Sequence, residues 1–186
     1  LTKVWEQIEA PLIPILTKME LAGIKVDVKK LSTLLKSTIT EIAKLEKKIY
    51  KLAGMEFNIN SPAQLGDVLY NQMHITHPTD SERQERIRKT GGGAMSTAAS
   101  ELEKLVDAHP IINLVINYRE LQKLKNTYIE PFPLLVQKDG RVHTTYDQTG
   151  AVTGRLSSQN PNLQNIPFRT ELGQQFRKAF IADDGY

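Results

Sequence analysis

The sequence predicts a mainly α-helical protein with a small β part (α+β): a long antiparallel helix pair followed by the first strands of an incomplete sheet. Three observations carry this. Leu31, Leu35, Thr38, Ile42, Leu45, Ile49 and Leu52 alternate spacings of four and three, the seam of a helix that packs along one partner of similar length. Ile111, Leu114, Val115, Tyr118, Leu121 and Leu124 form a second apolar stripe. After Pro131 and Pro133 the period changes, and Arg141 to Asp147 alternates as a strand does.

Residues 1–22 read as a helix with Val4, Ile8, Leu12, Ile15, Leu16 and Met19 on one side, bent or split by Pro11 and Pro14. Gly23 to Asp27 is a short extended exit, and Asp27 is the N-cap of the helix 28–53. Gly54 stands where a terminating glycine belongs. The opposite face carries Lys36, Lys44, Lys47, Lys48 and Lys51, a solvated basic face. Ser61 caps a further helix, Pro62 opens it, and it runs to about Met73. Its bare N-terminal amides suit a phosphate, although capping alone explains the residues.

Residues 74–95, with Pro78, a charged run to Lys89 and Gly91-Gly92-Gly93, should be the least ordered segment. His74 and His77 have metal-like spacing without further ligands and read as surface histidines. Asp80-Ser-Glu82 lacks the flanking apolar strand of an exonuclease site and reads as chance. Ser96-Thr97 cap a helix through Ala108, with Glu101 and Glu103 in the first turns that the helix dipole favours. Pro110 opens the second long helix, to about Tyr128, the antiparallel partner of 28–53, with Arg119 and Lys123 stacked at i, i+4. Asp139-Gly140 is a turn, and Gln175 to Ile181 reads as another short strand.

Composition narrows the class. At 186 residues, 40% hydrophobic and 24% charged, the chain suits one good core, or one domain and part of another. It contains no apolar run long enough to span a bilayer and no signal-peptide pattern at Leu1. Without cysteine it forms no disulfide or thiolate site, which fits the cytosol. Net charge is only +3, but from Pro110 to Ala182 nine Lys/Arg face five Asp/Glu. The positive excess therefore lies near the segment described next, which permits a polyanionic partner.

Thr149 to Pro167 is neither a helix nor a buried strand. Almost without large apolar residues, it carries Arg155, Asn160, Asn162, Gln164 and Asn165, set by Gly150, Gly154, Pro161 and Pro167. A rigid ribbon of guanidinium and carboxamide groups suits a duplex minor groove, where every pair offers acceptors in similar places. The same residues also suit a polar surface loop whose amides cap turns.

The order of the residues favours the first of these. Thr153-Gly-Arg-Leu-Ser-Ser158, then Pro161-Asn-Leu-Gln-Asn-Ile-Pro167, then Arg169, Gly173, Arg177 and Ala179-Phe180 resembles family A DNA polymerase of the bacterial DNA polymerase I type, and the resemblance extends through the whole chain. It implies a helix at the thumb/palm base over 1–27, following any exonuclease domain. It implies a thumb over 28–137 with a flexible tip at about 74–95, and a truncated start of the palm over 138–186. Arg155 is then implied on the minor groove at the primer terminus, with Asn162, Gln164 and Asn165 at the next pairs or the template strand. Backbone-phosphate roles are implied for Asn60 and Ser61, from an Asn-x-Asn-Ser turn, and for Ser96 and Thr97 at the tip. The Tyr-Arg-Glu-Leu-x-Lys-Leu-Lys-x-Thr-Tyr pattern adds Lys123 and Lys125. The tip departs from the family's pattern. After Lys89-Thr90-Gly91 come Gly92-Gly93-Ala94-Met95, a longer loop with no basic residue before Ser96-Thr97, so a tip contact would need Arg86, Arg88 or Lys89 as its substitute.

The resemblance implies a parent enzyme that is a DNA-directed DNA polymerase, a nucleotidyltransferase of replication and repair that uses Mg2+ held by residues outside this chain. The strand with the first metal-binding aspartate would follow Tyr186. The fragment is thus expected to bind no metal and to be inactive alone. It would meet deoxynucleotides only through the missing palm and fingers. Asp183 and Asp184, adjacent in a terminal turn, are expected to face solvent. The expected partner is primer-template duplex DNA, met as a monomer in the cytoplasm, on a bacterial nucleoid, and away from membranes. The alternatives are a stand-alone DNA-binding accessory module and a non-enzymatic coiled-coil protein.

Overall fold

The computed structural model describes residues 2–76, 91, 93, 95–168 and 170–183. The readings made for His77, Asp80, Glu82, Arg86, Arg88, Lys89, Thr90, Arg169 and Asp184 lie outside them. The chain forms two compact units, Leu1–Lys36 with Leu124–Tyr186, and Ser37–Lys123. The two long helices, Val28–Ala53 and Pro110–Leu124 with its continuation Lys125–Ile129, contribute to both.

In the first unit, residues 2–22 are one helical run with a π-helical turn at Trp5–Glu9. The Ala10 N–H reaches back five residues to the Trp5 carbonyl, immediately before Pro11, which has no N–H to donate. The helix is not split at either proline, and Ala10–Ala22 continues through Pro14. Of the apolar side foreseen here only Leu16 is buried; Val4, Ile8, Ile15 and Met19 are exposed.

Strand β1 (Ile24–Val26) pairs antiparallel with β2 (Arg141–Val142) and with β5 (Phe180–Ile181), in the order β2-β1-β5. Strands β3 (Thr145–Asp147) and β4 (Ser157–Gln159) form a separate antiparallel pair. The alternation of 141–147 survives as burial of Val142 and Thr144. The single expected strand divides because its partner changes from β1 to β4. Residues 175–181 also differ from expectation. Glu171–Arg177 is a helix whose N-cap, Thr170, accepts the Gly173 N–H, and only Phe180–Ile181 is strand. Leu172, Phe176 and Phe180 fall four apart, which satisfies a helix face as well as a strand face, and the Thr170 cap decides. Phe132, Phe176 and Phe180 pack edge to face, with Phe132 and Phe176 centroids 5.0 Å apart. Val26, Leu31, Leu34, Ile129 and Val142 complete that core.

The second unit is helical. Ile42, Leu45 and Ile49 share a core with Ile111, Ile112, Val115 and Tyr118, capped by Leu65, Leu69, Leu102 and Leu105. Asp27 accepts the Lys30 N–H at the start of Val28–Ala53, as its N-cap reading requires. Gly54 ends that helix at φ 73°, conformationally cheap only for glycine. Leu52, the last residue of the seam, is exposed. The helix after Ser96-Thr97 begins later than expected, at Ala99–Leu102, with Ala98 as an uncapped N-cap and a 3-10 turn Glu103–Leu105. Ser96 Oγ accepts the Ala98 N–H in a local turn instead. Glu101 and Glu103 do stand in first turns, and Glu101 is buried there beside Lys104.

Candidate nucleic-acid interface

The ribbon 149–167 is built outward from one buried pair of hydroxyls. Thr144 Oγ1 and Ser158 Oγ lie 2.7 Å apart. Thr144 Oγ1 donates to the carbonyls of Gln159 and Pro161 at 2.9 and 2.8 Å, and Ser158 Oγ accepts the Leu163 N–H at 3.0 Å. Ser158 belongs to β4, a short strand in a segment expected to contain none. Leu163 and Ile166 pack against the aromatic core, and Tyr128 Oη donates to the Asn165 carbonyl at 2.6 Å. At the near end, Asp147 Oδ1 accepts the Thr149 N–H and Oγ1, and these bonds hold its carboxyl below the ordinary value. A Cβ at Gly150 would lie 2.6 Å from Ser157 Oγ and 2.8 Å from Asp147 Oδ2, so a larger residue would displace those side chains. Ser157 Oγ is buried without a hydrogen-bond partner among the described residues.

With Leu163 and Ile166 drawn inward, Asn162, Gln164 and Asn165 are left exposed. Asn162 Oδ1 accepts the N–H groups of Gln164 and Asn165 at 3.0 and 3.2 Å, so its oxygen forms the turn and its amino group points away. Gln164 works in the opposite sense: Nε2 donates to the Leu156 carbonyl at 3.0 Å, which engages part of its donor capacity. The Asn165 carboxamide and the exposed Arg155 guanidinium have no hydrogen-bond partner among the described residues. Arg155 follows Gly154 at φ 73°. The structure thus brings together Asn162, Gln164 and Asn165 in one turn and braces that turn on the residue after Arg155.

In the second unit, Asn58 Oδ1 accepts the Asn60 N–H, Ser61 Oγ accepts the Gln64 N–H at 3.4 Å, and Asn60 Nδ2 reaches Tyr118 Oη at 3.4 Å. Asn60 is exposed and Ser61 half-buried. Ser96 is half-buried, its carbonyl held by Tyr70 Oη at 2.7 Å. Burial, with Glu101 nearby, pushes the Tyr70 phenol up to about 12, so it stays a donor. Thr97 is 5% exposed, and its carbonyl and hydroxyl both accept from Arg119. This corrects the outward position the sequence suggests for its side chain. Arg119 turns inward, and burial lowers its pKa from the ordinary value. Lys123 is exposed. Lys125, in the first unit, is ion-paired with Glu130 at 3.0 Å.

Asp183 is not simply solvent-facing, a further correction. It is paired with Lys25 at 2.8 Å and with Arg141, and the Lys25 hydrogen bond lowers its pKa. Among the described residues no three His, Asp or Glu side chains form a group able to hold a metal ion, and no helix is long and apolar enough to cross a membrane. Thr144, Ser158, Tyr128, Tyr70 and Arg119 position the candidate residues and were not singled out for that task from sequence. Thr144 and Ser158 carry no local signal, being fourteen residues apart.

Residues 28–186 match the model of DNA polymerase family A. The chain is 48% identical over 185 residues to DNA polymerase I of Deinococcus radiodurans, covering 99% of this chain and 18% of that protein. It is 45% identical over 183 residues to the thermostable DNA polymerase I of Thermus aquaticus, covering 98% and 21%. The chain thus spans about a fifth of the length of these curated relatives. Among solved structures it is similar to the POL domain of Pol1 from M. smegmatis in complex with DNA primer-template and dNTP. That match has a TM-score of 0.86 and 36% identity, and covers 99% of this chain and 31% of that one.

Proposed function

Because the chain belongs to DNA polymerase family A, we propose that it is the primer-template-holding portion of a DNA-directed DNA polymerase that extends primer 3′ ends. One observation carries the reading: the hydrogen bonds of the ribbon secure its backbone and leave the Arg155 guanidinium, the Asn162 amino group and the Asn165 carboxamide facing outward. Minor-groove acceptors occupy nearly the same place in every correct pair. Donors fixed at that spacing test pair geometry without reading sequence. Arg155 lies at the primer terminus, and Asn162, Gln164 and Asn165 lie along the following pairs.

Asn60, Ser61, Ser96 and Lys123 contact backbone phosphates, contacts that hold register and orientation without sequence information. Thr97 supports Ser96 from within, and Lys125 reaches phosphate by exchanging Glu130 for it. On this reading 28–137 is thumb, 138–186 the start of the palm, and 1–27 the helix at their base. The protein works as a monomer in the cytoplasm, on nucleoid DNA.

In the parent enzyme Mg2+ stabilises the charge of phosphoryl transfer. Among the described residues no three His, Asp or Glu side chains form a group for that role, and Asp183 is held by two cations. The chain alone therefore holds duplex and adds no nucleotide, and deoxynucleotides are met through other parts of the polypeptide.

The test is an anisotropy titration of labelled primer-template across a salt series, with primer extension run beside it. Arg155→Ala is expected to weaken binding by about tenfold, a loss of ~1.4 kcal/mol. Lys123→Ala is expected to lower the slope of log affinity against log salt by about 0.9, one phosphate's counterion release. Unchanged binding in both Arg155→Ala and Asn165→Ala would overturn the reading.

A further inference from the structure

We propose that Arg119 is a positioning residue for duplex binding, a single guanidinium that fixes the separation of the Asn60-Ser61 turn and the Ser96-Thr97 segment. The inference rests on the reading of those stretches as phosphate contacts. By spacing, Arg119 and Lys123 stack on one face of Pro110–Leu124, as two cations for the same partner would. The structure separates them: Lys123 is exposed, whereas Arg119 Nη1 donates to the Thr97 carbonyl at 2.6 Å and Nη2 to the Ile59 carbonyl at 3.4 Å.

Ile59 and Thr97 are the buried residues directly before Asn60 and directly after Ser96. The planar fork therefore clamps the inner end of each stretch with one nitrogen apiece. Neighbouring hydroxyls repeat the arrangement. Tyr118 Oη accepts from Asn60 Nδ2, and Tyr70 Oη donates to the Ser96 carbonyl. A lysine carries one flexible ammonium and does not reproduce two divergent, coplanar bonds. Stretches held apart at a set distance before DNA arrives need no ordering when it binds, and that saving appears as affinity.

The experiment is a double-mutant cycle read by primer-template anisotropy across salt, with helix content and urea unfolding followed on each variant. Arg119→Gln is expected to weaken binding by about tenfold with the salt slope unchanged, since Arg119 touches no phosphate. Arg119→Lys is expected to restore little of it. Asn60→Ala and Ser96→Ala should each weaken binding in the native background and have much smaller effects in Arg119→Gln, because the stretches are already displaced.

A slope reduced by about 0.9 in Arg119→Gln would make Arg119 a phosphate ligand and overturn the inference. So would full additivity, or native affinity in Arg119→Gln while Asn60→Ala and Ser96→Ala both lose it. Neutrality of Asn60→Ala and Ser96→Ala in the native background strikes the phosphate reading itself and removes the inference with it. If Arg119→Gln does not fold, Arg119→Lys carries the same comparison: loss at constant slope supports the inference, and native binding overturns it.

Discussion

Ser158→Ala tests whether the donor-rich ribbon is rigid because of its buried hydroxyl pair. Ser158 is 1% exposed, and its Oγ is the acceptor for the Leu163 N–H at 3.0 Å. Alanine removes that acceptor where water does not reach, so the amide loses its partner at a cost of about 1–3 kcal/mol. Thr144 keeps its own bonds to Gln159 and Pro161, which confines the damage to the turn that carries Asn162, Gln164 and Asn165. A typical domain is stable by about 5–15 kcal/mol, so the variant stays folded. Urea unfolding should register the loss. Native-state hydrogen exchange should show the Leu163 amide opening about 10–100-fold more often, with amides of Val28–Ala53 unchanged. Primer-template affinity should fall although Ser158 touches no DNA. Native exchange at Leu163, together with a stability change within about 0.5 kcal/mol, would refute the reasoning.

Three other outcomes follow from equally local geometry. Asn162→Asp keeps the oxygen that forms the turn and removes the outward amino group; unfolding stability should stay within about 0.5 kcal/mol while duplex affinity drops, and equal losses of both would count against the assigned division of labour. Gly173→Ala adds a Cβ 2.7 Å from the Pro167 carbonyl oxygen; helix propensity alone would gain about 1 kcal/mol, overpacking against backbone costs about 1–3 kcal/mol, and urea unfolding should show net destabilisation. The His143 pKa is raised by its bonds to the Glu20 carbonyl, at 2.7 Å, and to Asp139, at 2.9 Å. The protonated ring is therefore favoured in the folded state, its contribution is complete below the ordinary histidine value, and it is lost as pH rises through the raised native value. Unfolding measured across that window should show a fall in stability that His143→Gln removes.

The helical part of the fold was legible because its determinants are local. Asp27, Ser61 and Gly54 act within one turn of themselves, and the seam from Leu31 to Ile49 states its period in the order of the residues. The β part was less so. Each strand is two or three residues long, too short for alternation to separate one partner from another, and β1 pairs with segments more than a hundred positions away. Phe176 and Phe180 satisfied both periods, and the choice lay with the Thr170 cap. At the candidate site, residue types announced the outward donors, while their supports are recorded only in space. Arg119 beside Lys123 reads as one more surface cation until two carbonyls from elsewhere in the chain claim it.

The irregularity of the ribbon follows from what it displays. A strand turns every second residue outward, and a helix returns to one face after three or four. Neither puts Asn162, Gln164 and Asn165 on one side with Leu163 and Ile166 on the other. Such an order needs a non-repeating backbone, whose polar groups then lack ladder partners and must be satisfied singly. Here the site residues supply part of that satisfaction themselves: Asn162 through its oxygen, Gln164 through its nitrogen, Asn165 through its carbonyl to Tyr128. In Asn162 and Gln164 holding and displaying are thus divided between the two ends of a single side chain, whereas Asn165 is held by its backbone carbonyl and displays its whole carboxamide. A carboxamide, with an acceptor and two donors on one plane, can do both. Arg155 has no acceptor to contribute to the scaffold and relies wholly on its neighbours, through the Gln164 bond to Leu156 and the turn at Gly154. For that reason, loosening the scaffold beneath the ribbon should reach Arg155 as surely as replacing it.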